Sequence, residues 1–117
     1  MSDANLTKFY PELVESGGLL AAMRAAFVGE PTVEVNGFGT GASYAHLAVD
    51  KRSAQVFIGA GYRLFIFDCR EETTCHAKGK TPEFGELVAA LHAWLLQRRS
   101  VEELISSHPV CEMQKNA

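Results

Sequence analysis

The chain has 117 residues, of which 47% are hydrophobic and 21% are charged, and its net charge is −3. These values are typical of one soluble globular domain, which we expect to span residues 1–117. Lysine and arginine do not cluster, which excludes generic binding to a nucleic-acid backbone, and no apolar run reaches the roughly 18 residues that cross a membrane.

Two helical segments are predicted before the first strand. Phe9–Val14 is apolar enough for a helical turn, and Leu19–Val28 places its apolar residues at helical spacing. Gly29 and Pro31 end the second segment, because glycine closes helices and proline cannot continue them. Thr32–Asn36 then alternates between apolar and polar residues, which predicts a strand.

The stretch from Ser43 to Gly79 has the pattern of a β-meander. Its predicted strands are Ser43–Asp50, Ser53–Ile58, Tyr62–Arg70 and Thr73–Lys78. The turns between them are short, so successive strands must be antiparallel. Apolar residues on both sides of Tyr62–Arg70 indicate a central strand or a partly apolar exposed face, whereas the more polar Thr73–Lys78 suits an edge.

An amphipathic helix over Pro82–Gln97 is the clearest element and carries Trp94, the single tryptophan of the chain. Thr81 is predicted as its N-cap, and Pro82 as its first helical residue. The apolar residues of this segment recur at helical spacing throughout. They are Phe84, Leu87, Val88, Leu91, Trp94 and Leu95.

A second C-terminal helix is predicted from Ser100, where Glu103 completes a capping box. His108-Pro109 ends it, and Val110–Ala117 is expected to be a flexible tail. The whole order predicts an α+β fold, in which an antiparallel sheet of four to five strands packs against N- and C-terminal helices as a two-layer sandwich.

One segment, Gly37–Ala42, fits the dinucleotide-binding pattern G-x-G-x-x-G/A. That motif needs a following helix to hold the pyrophosphate, whereas Ser43–Asp50 alternates as a strand. We therefore expect no nucleotide cofactor and interpret Gly37–Gly41 as a flexible turn with Phe38 at its tip, where a partner could bind.

The cysteines and histidines do not form a metal-binding pattern, and we expect no metal site. Cys75 and His76 are neighbours in one strand and point to opposite faces, and no C-x-x-C or H-x-x-x-H pair is present. No cysteine begins a helix, where a thiol pKa is lowered, so a nucleophilic cysteine is not expected. An odd number of cysteines without an export signal favours reduced thiols and a cytoplasmic location.

Acidic residues gather around one turn and one helix start, at Glu71, Glu72, Glu83 and Glu86. Two interpretations stay open: a solvated rim that also compensates the helix dipole, or an acidic patch for a basic partner.

His92-Ala93-Trp94-Leu95, followed by a short helix that ends in Ser107-His108-Pro109, carries a resemblance. In this pattern the chain resembles an uncharacterised actinobacterial family of small proteins with a His-Ala-Trp helix. Here His108 takes the place of that family's terminal aromatic residue. In size and architecture the chain is also similar to bacterial immunity proteins.

We therefore expect a non-catalytic cytoplasmic binding protein, most concretely an immunity protein that neutralises a cognate toxin by occluding its active site. Acidic residues would steer a basic protein partner, and an aromatic residue would anchor it. The predicted partner-binding residues are Phe38, Tyr44, Asp68, Glu71, Glu72 and Glu83. We expect no nucleic acid, membrane or cofactor as a partner.

Two alternatives remain at this point. The first is a small enzyme or small-ligand-binding domain with a pocket between sheet and helices, where His46 and Tyr44 share a strand face and His46 meets Asp68 on another strand. The second is a homodimer through the strand Thr73–Lys78 or through the exposed face of Tyr62–Asp68.

Overall fold

The computed structural model describes residues 7–37, 43–59 and 61–113, which form an α+β fold. Helices from both ends of the sequence pack on one face of an antiparallel sheet. The helices that lie wholly within these residues are α1 (Pro11–Ser16), α2 (Leu19–Ala26), α3 (Phe84–Leu95) and α4 (Val101–Ser107). The strands are β1 (Glu34–Asn36), β2 (Tyr44–Val49), β3 (Arg52–Ile58), β4 (Phe65–Glu71), β5 (Thr74–Thr81) and β6 (Cys111–Met113).

The six strands lie in the sheet in the order in which the chain makes them, and every neighbouring pair is antiparallel. This confirms the predicted meander and adds one strand to the four to five expected. The added strand is β6, so the predicted tail Val110–Ala117 was wrong for Cys111–Met113. Helix α4 returns the chain to the sheet, where Glu112 pairs with Lys78 of β5. Residues 114–117 lie outside the described residues.

The polarity of Thr73–Lys78 predicted an edge strand, but β5 is at the edge of the sheet over only part of its length. Its residues Ala77, Lys78 and Gly79 pair with β6 on one side and with β4 on the other. A homodimer through the edge of Thr73–Lys78 would need free backbone groups along that strand. At Ala77 and Lys78 this edge is already paired with β6. The edge-strand prediction was wrong at these positions because polar side chains indicate an exposed face of the sheet. They do not show whether the backbone of the strand is paired on both sides.

Helix α3 begins two residues later than the sequence predicts. Thr81 is not its N-cap but the last residue of β5, where it pairs with Phe65 of β4. Glu83 is the N-cap residue and has extended backbone angles. The Thr81 hydroxyl still serves the helix start, because its Oγ1 accepts a hydrogen bond from the Glu83 backbone N–H at 3.1 Å and donates one to Glu86 Oε1 at 3.1 Å. The apolar stripe of α3 is confirmed: Leu87, Leu91, Trp94 and Leu95 are fully or almost fully buried.

The capping box at the start of α4 is confirmed in both of its hydrogen bonds. Ser100 Oγ accepts from the Glu103 backbone N–H at 3.2 Å, and the Glu103 carboxylate accepts from the Ser100 backbone N–H at 3.4 Å. The Glu103 carboxylate also accepts from the Ser100 hydroxyl at 3.1 Å, and its hydrogen bonds from the Ser100 backbone N–H and hydroxyl hold the pKa of the Glu103 carboxyl below its usual value. The helix ends at Ser107, before His108-Pro109, as predicted.

Trp94 and Arg52 attach the C-terminal end of α3 to the sheet. The Trp94 indole N–H lies 3.2 Å from the carbonyl oxygens of both Ser53 and Arg70. The Arg52 guanidinium stacks over the indole ring, 3.9 Å from its centroid, and donates to the carbonyl oxygens of Trp94 and Arg99. Carbonyls at a helix C-terminus lack partners within the helix, so this arginine satisfies groups that would otherwise be unpaired.

Tyr10 holds the connection between β3 and β4 in place from the covered side of the sheet. Its ring is fully buried, edge-on to Phe65 at 5.5 Å between centroids. Its hydroxyl donates to the Gly59 carbonyl at 2.8 Å and accepts from the Leu64 backbone N–H at 2.9 Å. The N-terminal segment therefore contributes to the covered side of the sheet as well as to the helical layer.

Candidate functional site on the uncovered sheet face

The face of the sheet that the helices leave open carries two rows of side chains that cross the strands. Alternation along each strand sends every second residue to this face, and the register aligns them. The first row, which we call the apolar strip, consists of Tyr44, Phe57 and Ile66. The second, which we call the polar row, consists of His46, Gln55, Asp68, Lys78 and Glu112.

The apolar strip exposes large hydrophobic side chains at the centre of the sheet. Phe57 keeps 42% of its surface exposed and Ile66 keeps 40%. The Tyr44 and Phe57 rings contact each other across the strand pair, with 5.0 Å between centroids. Neighbouring exposed apolar side chains that form a contiguous patch mark interaction sites more often than scattered ones. The two-sided apolarity of Tyr62–Arg70 was the signal in the sequence for this surface.

The polar row is held together by hydrogen bonds around Asp68. Its carboxylate accepts from the Gln55 backbone N–H at 3.0 Å and from Arg70 Nε at 3.2 Å. The Tyr44 hydroxyl donates to Gln55 Oε1 at 3.3 Å, which joins the polar row to the apolar strip. Partial burial, reinforced by the negative charge of Asp68, raises the pKa of the Tyr44 phenol. Asp68 and Tyr44, two predicted site residues, thus lie close together on this face.

His46 and Asp68 do not meet, although they share the same row. His46 pairs with Gln55, and Gln55 pairs with Asp68, so β3 separates the two side chains. Two strand spacings amount to about 10 Å. The acid–base pair that the enzyme alternative needs is therefore not formed by these residues.

The predicted acidic residues are distributed over both ends of the sheet. Glu71 Oε1 lies 3.1 Å from Arg52 Nε, and Glu72 Oε1 lies 3.5 Å from Lys51 Nζ, so both carboxylates are paired within the chain. Glu83 lies at the other end of β5, on the order of 20 Å away along an extended strand. The structure does not bring these three residues together into one patch, and Phe38 lies outside the described residues.

Two of the three thiols are buried under the helices. Burial, with smaller contributions from neighbouring acidic groups, raises the pKa of the Cys69 thiol far above its usual value, and burial raises that of Cys111 to about 11. Both thiols are therefore protonated at neutral pH and are poor nucleophiles. Among the described residues, no group of three or more His, Cys, Asp and Glu side chains is placed to hold a metal ion.

A cavity of about 720 Å³ lies at the β1 edge of the sheet, between the start of β1, the end of β2 and the C-terminal end of α3. Its walls combine buried aliphatic side chains with charged groups at the rim. They are Pro31, Thr32, Glu34, Ala48, Val49, Asp50, Leu95, Leu96 and Arg98. Asp50 and Arg98 both have positive φ angles, of 53° and 50°, which non-glycine residues seldom adopt. None of the predicted site residues that the structure describes lines this cavity.

The chain matches no protein-family model, no curated protein and no solved structure. The resemblance to the actinobacterial family thus stays a prediction. Within residues 7–37, 43–59 and 61–113, no helix has the length and apolarity needed to cross a membrane.

Proposed function

We propose that the protein is a non-catalytic binding protein that recognises a protein partner through the uncovered face of its sheet. The observation that carries this proposal is the exposure of Phe57 and Ile66 side by side on central strands. Their immediate neighbours Tyr44, Gln55 and Asp68 are already joined by hydrogen bonds. Such a surface offers apolar contact area surrounded by polar groups of fixed geometry, which is the usual anatomy of a protein interface.

An immunity protein that neutralises a bacterial toxin in the cytoplasm is the specific form of this proposal. The size and α+β architecture support it by analogy, and the reduced cysteines expected from the sequence support the compartment. In this mechanism the sheet face covers the active site of the toxin, with Phe57 and Ile66 as the apolar anchors.

Site-specific crosslinking in cells of the source organism tests the proposal directly. A photoreactive residue replaces Phe57 in one variant and Val28 in another, because Val28 is an apolar residue that is 85% exposed and lies away from the sheet face. We expect a discrete crosslinked protein from position 57 that position 28 does not yield. The purified partner should then bind the wild-type chain and lose at least about tenfold in affinity for Phe57→Asp.

The same experiment separates the specific form from the general one. If the partner is a toxin, co-expression of the wild-type chain should restore growth, and co-expression of Phe57→Asp should not. If positions 57 and 28 yield the same crosslinked proteins, or none, the sheet face is not the binding surface.

Small-ligand binding is the second candidate function, favoured by the 720 Å³ cavity, whose volume lies in the range of roughly 300–1,000 Å³ found for small-molecule sites. Its lining carries two carboxylates, Glu34 and Asp50, and one guanidinium, Arg98, and these charges favour a ligand that carries both ammonium and carboxylate groups, such as an amino acid. Thermal unfolding with each of the twenty amino acids tests this candidate. A stabilisation that Arg98→Glu abolishes supports it, and no stabilisation by any of them contradicts it.

A further inference from the structure

A hollow lies on the uncovered face where β4, β5 and β6 meet, next to the apolar strip. Its volume is about 170 Å³. The lining residues are Ile66, Lys78, Gly79, Lys80, Val110 and Glu112. Cavities of roughly 150 Å³ accept a benzene ring, so this hollow has room for one large apolar side chain of a partner. Ile66 and Val110 supply its apolar contact surface.

Lys78 and Lys80 make the rim of the hollow positively charged. They stand two residues apart on β5, so both side chains project from the same face of the sheet. Neither forms an ion pair with any other described residue, in contrast to Arg70, which pairs with Asp68 at 3.2 Å. Among the described residues, Glu112 is the one acidic side chain that lines the hollow, so two lysines and one glutamate leave this corner an excess of positive charge in a chain whose net charge is −3.

This distribution of charge is opposite to the one that the acidic residues of the sequence predict. Glu71 and Glu72 are neutralised by Arg52 and Lys51 at the far end of β5, away from the hollow. Among the described residues, the charges next to this exposed apolar surface that form no ion pair are those of Lys78, Lys80 and Glu112, and together they leave one net positive charge. Ammonium groups at the rim of an interface attract carboxylates and repel a basic partner.

We propose that this corner binds an acidic segment of a protein partner, which places one apolar side chain in the hollow and its carboxylates against Lys78 and Lys80. The inference rests on the proposed function, because it assigns the chemistry of the partner that the sheet face recognises. The apolar side chain contributes most of the binding energy from a desolvated position. The two lysines set the selectivity and accelerate the encounter, and both effects weaken as salt screens the charges.

Selection from a random peptide library displayed on phage tests the inference without knowledge of the natural partner. The bait is the full-length wild-type chain. We expect selected peptides to carry a Leu, Ile, Phe or Trp residue close to two or more Asp or Glu residues. Binding of a selected peptide should weaken at least about tenfold in the double variant Lys78→Glu/Lys80→Glu, and the matched control Lys51→Glu should change it less than twofold. Lys51 is also an exposed lysine, but it lies at the other end of β5, where it pairs with Glu72.

Variants of Ile66 distinguish the inference from the function on which it rests. Ile66→Thr keeps a β-branched residue on the strand and removes apolar surface from the hollow, and thermal unfolding of each variant confirms that it folds. If Ile66→Thr weakens binding and the lysine reversal does not, or if the selected peptides lack an acidic bias, the inference is overturned while the proposed function stands. If neither change affects the binding of selected peptides, both are overturned.

A second copy of the chain is the competing occupant of the hollow. Sedimentation of the wild-type chain at high concentration measures whether the chain forms a dimer. A dimer that Ile66→Thr converts to a monomer assigns the surface to self-association and overturns the inference, as does a selection that yields no peptide.

Discussion

The two faces of the sheet are made by the same strands with the same alternation, yet they differ in almost every physical property. The covered face carries aliphatic and aromatic residues and two thiols, nearly all with less than a tenth of their surface exposed. The uncovered face carries the apolar strip and the polar row, whose side chains are half-buried or exposed and of mixed charge. The comparison teaches that the strands alone do not distinguish the two faces: the helical layer buries one face and leaves the other open to solvent.

The polar groups of the two faces also serve different purposes. On the covered side, Trp94 and Arg52 donate their hydrogen bonds to backbone carbonyls and fasten α3 to the sheet. On the uncovered side, the Tyr44 hydroxyl donates to the Gln55 side chain and the Gln55 backbone N–H donates to the Asp68 carboxylate. Lys78 and Lys80 have no ion-pair partner among the described residues. Polar groups that face inward are satisfied, as burial requires, whereas those that face outward retain capacity for a partner.

The largest difference between the faces should appear in the reactivity of the thiols. Cys75 is partly exposed, whereas Cys69 and Cys111 are buried and have raised pKa values. We expect Cys75 to react with a maleimide at pH 7 at least about a thousandfold faster than the other two, because the buried thiols react only after the fold opens. Mass spectrometry of digested samples over time measures this ratio, and Cys75→Ser should leave no fast-reacting thiol. Comparable rates at Cys69 and Cys75 would show that the helical layer opens readily.

Removal of the main contact of α3 should have the largest effect on stability. Trp94→Ala deletes a fully packed ring together with the indole N–H that bonds the sheet backbone. We expect the free energy of unfolding to fall by about 3–5 kcal/mol. Trp94→Phe is the control: because it retains an aromatic ring, its free energy of unfolding should fall less. Urea denaturation measures both, and a cost below about 1 kcal/mol for Trp94→Ala would mean that α3 is not essential to the covered face.

A buried glycine of β5 and an exposed glycine of α3 should respond to alanine with opposite changes in stability. A Cβ atom added at Gly79 would lie 2.3 Å from the Phe67 ring, whereas one added at Gly85 in α3 meets no atom within 4 Å. Gly79→Ala should therefore destabilise the protein by about 1–3 kcal/mol through overpacking. Gly85→Ala should stabilise it by about 0.5–1 kcal/mol because alanine is the better helix residue. The same thermal or urea measurement covers both, and equal effects of the two substitutions would contradict the packing argument.

The smallest effect on the free energy of unfolding is expected on the uncovered face. Two neighbouring residues of β3, one on each face, allow the same substitution to be compared. Val56 is fully buried and Phe57 is 42% exposed, so they point to opposite faces of the same strand. Phe57→Thr should cost less than about 1 kcal/mol, mainly through its lost contact with Tyr44. Val56→Thr should cost about 1–3 kcal/mol, because it buries a hydroxyl without a partner. A larger cost for Phe57→Thr than for Val56→Thr would reverse the assignment of the faces.

Much of the fold follows from patterns that extend over a few residues. The alternation of β2 to β4, the apolar stripe of α3 and the capping box at Ser100 all appear in the sequence and are confirmed in the structure. The uncovered apolar surface was also indicated, by the two-sided pattern of Tyr62–Arg70. The sequence thus indicated where the uncovered apolar surface lies, although it did not indicate the prominence of Phe57 and of the two lysines on it.

The remaining decisions depended on residues that are distant in the chain. Cys111–Met113 is too short for its alternation to predict a strand, and it becomes one because α4 returns the chain to β5. Thr81 resembles an N-cap until its pairing with Phe65 assigns it to β5.

By itself the sequence determined the local elements and which residues share a face, because backbone geometry fixes periods of 2.0 and 3.6 residues. Only the tertiary structure decided which face the helices cover, that β3 separates His46 from Asp68, and that Arg52 and Lys51 neutralise the acidic turn. The physical reason is that register and charge pairing arise from contacts between strands, and a pattern along one strand carries no information about its neighbour's position.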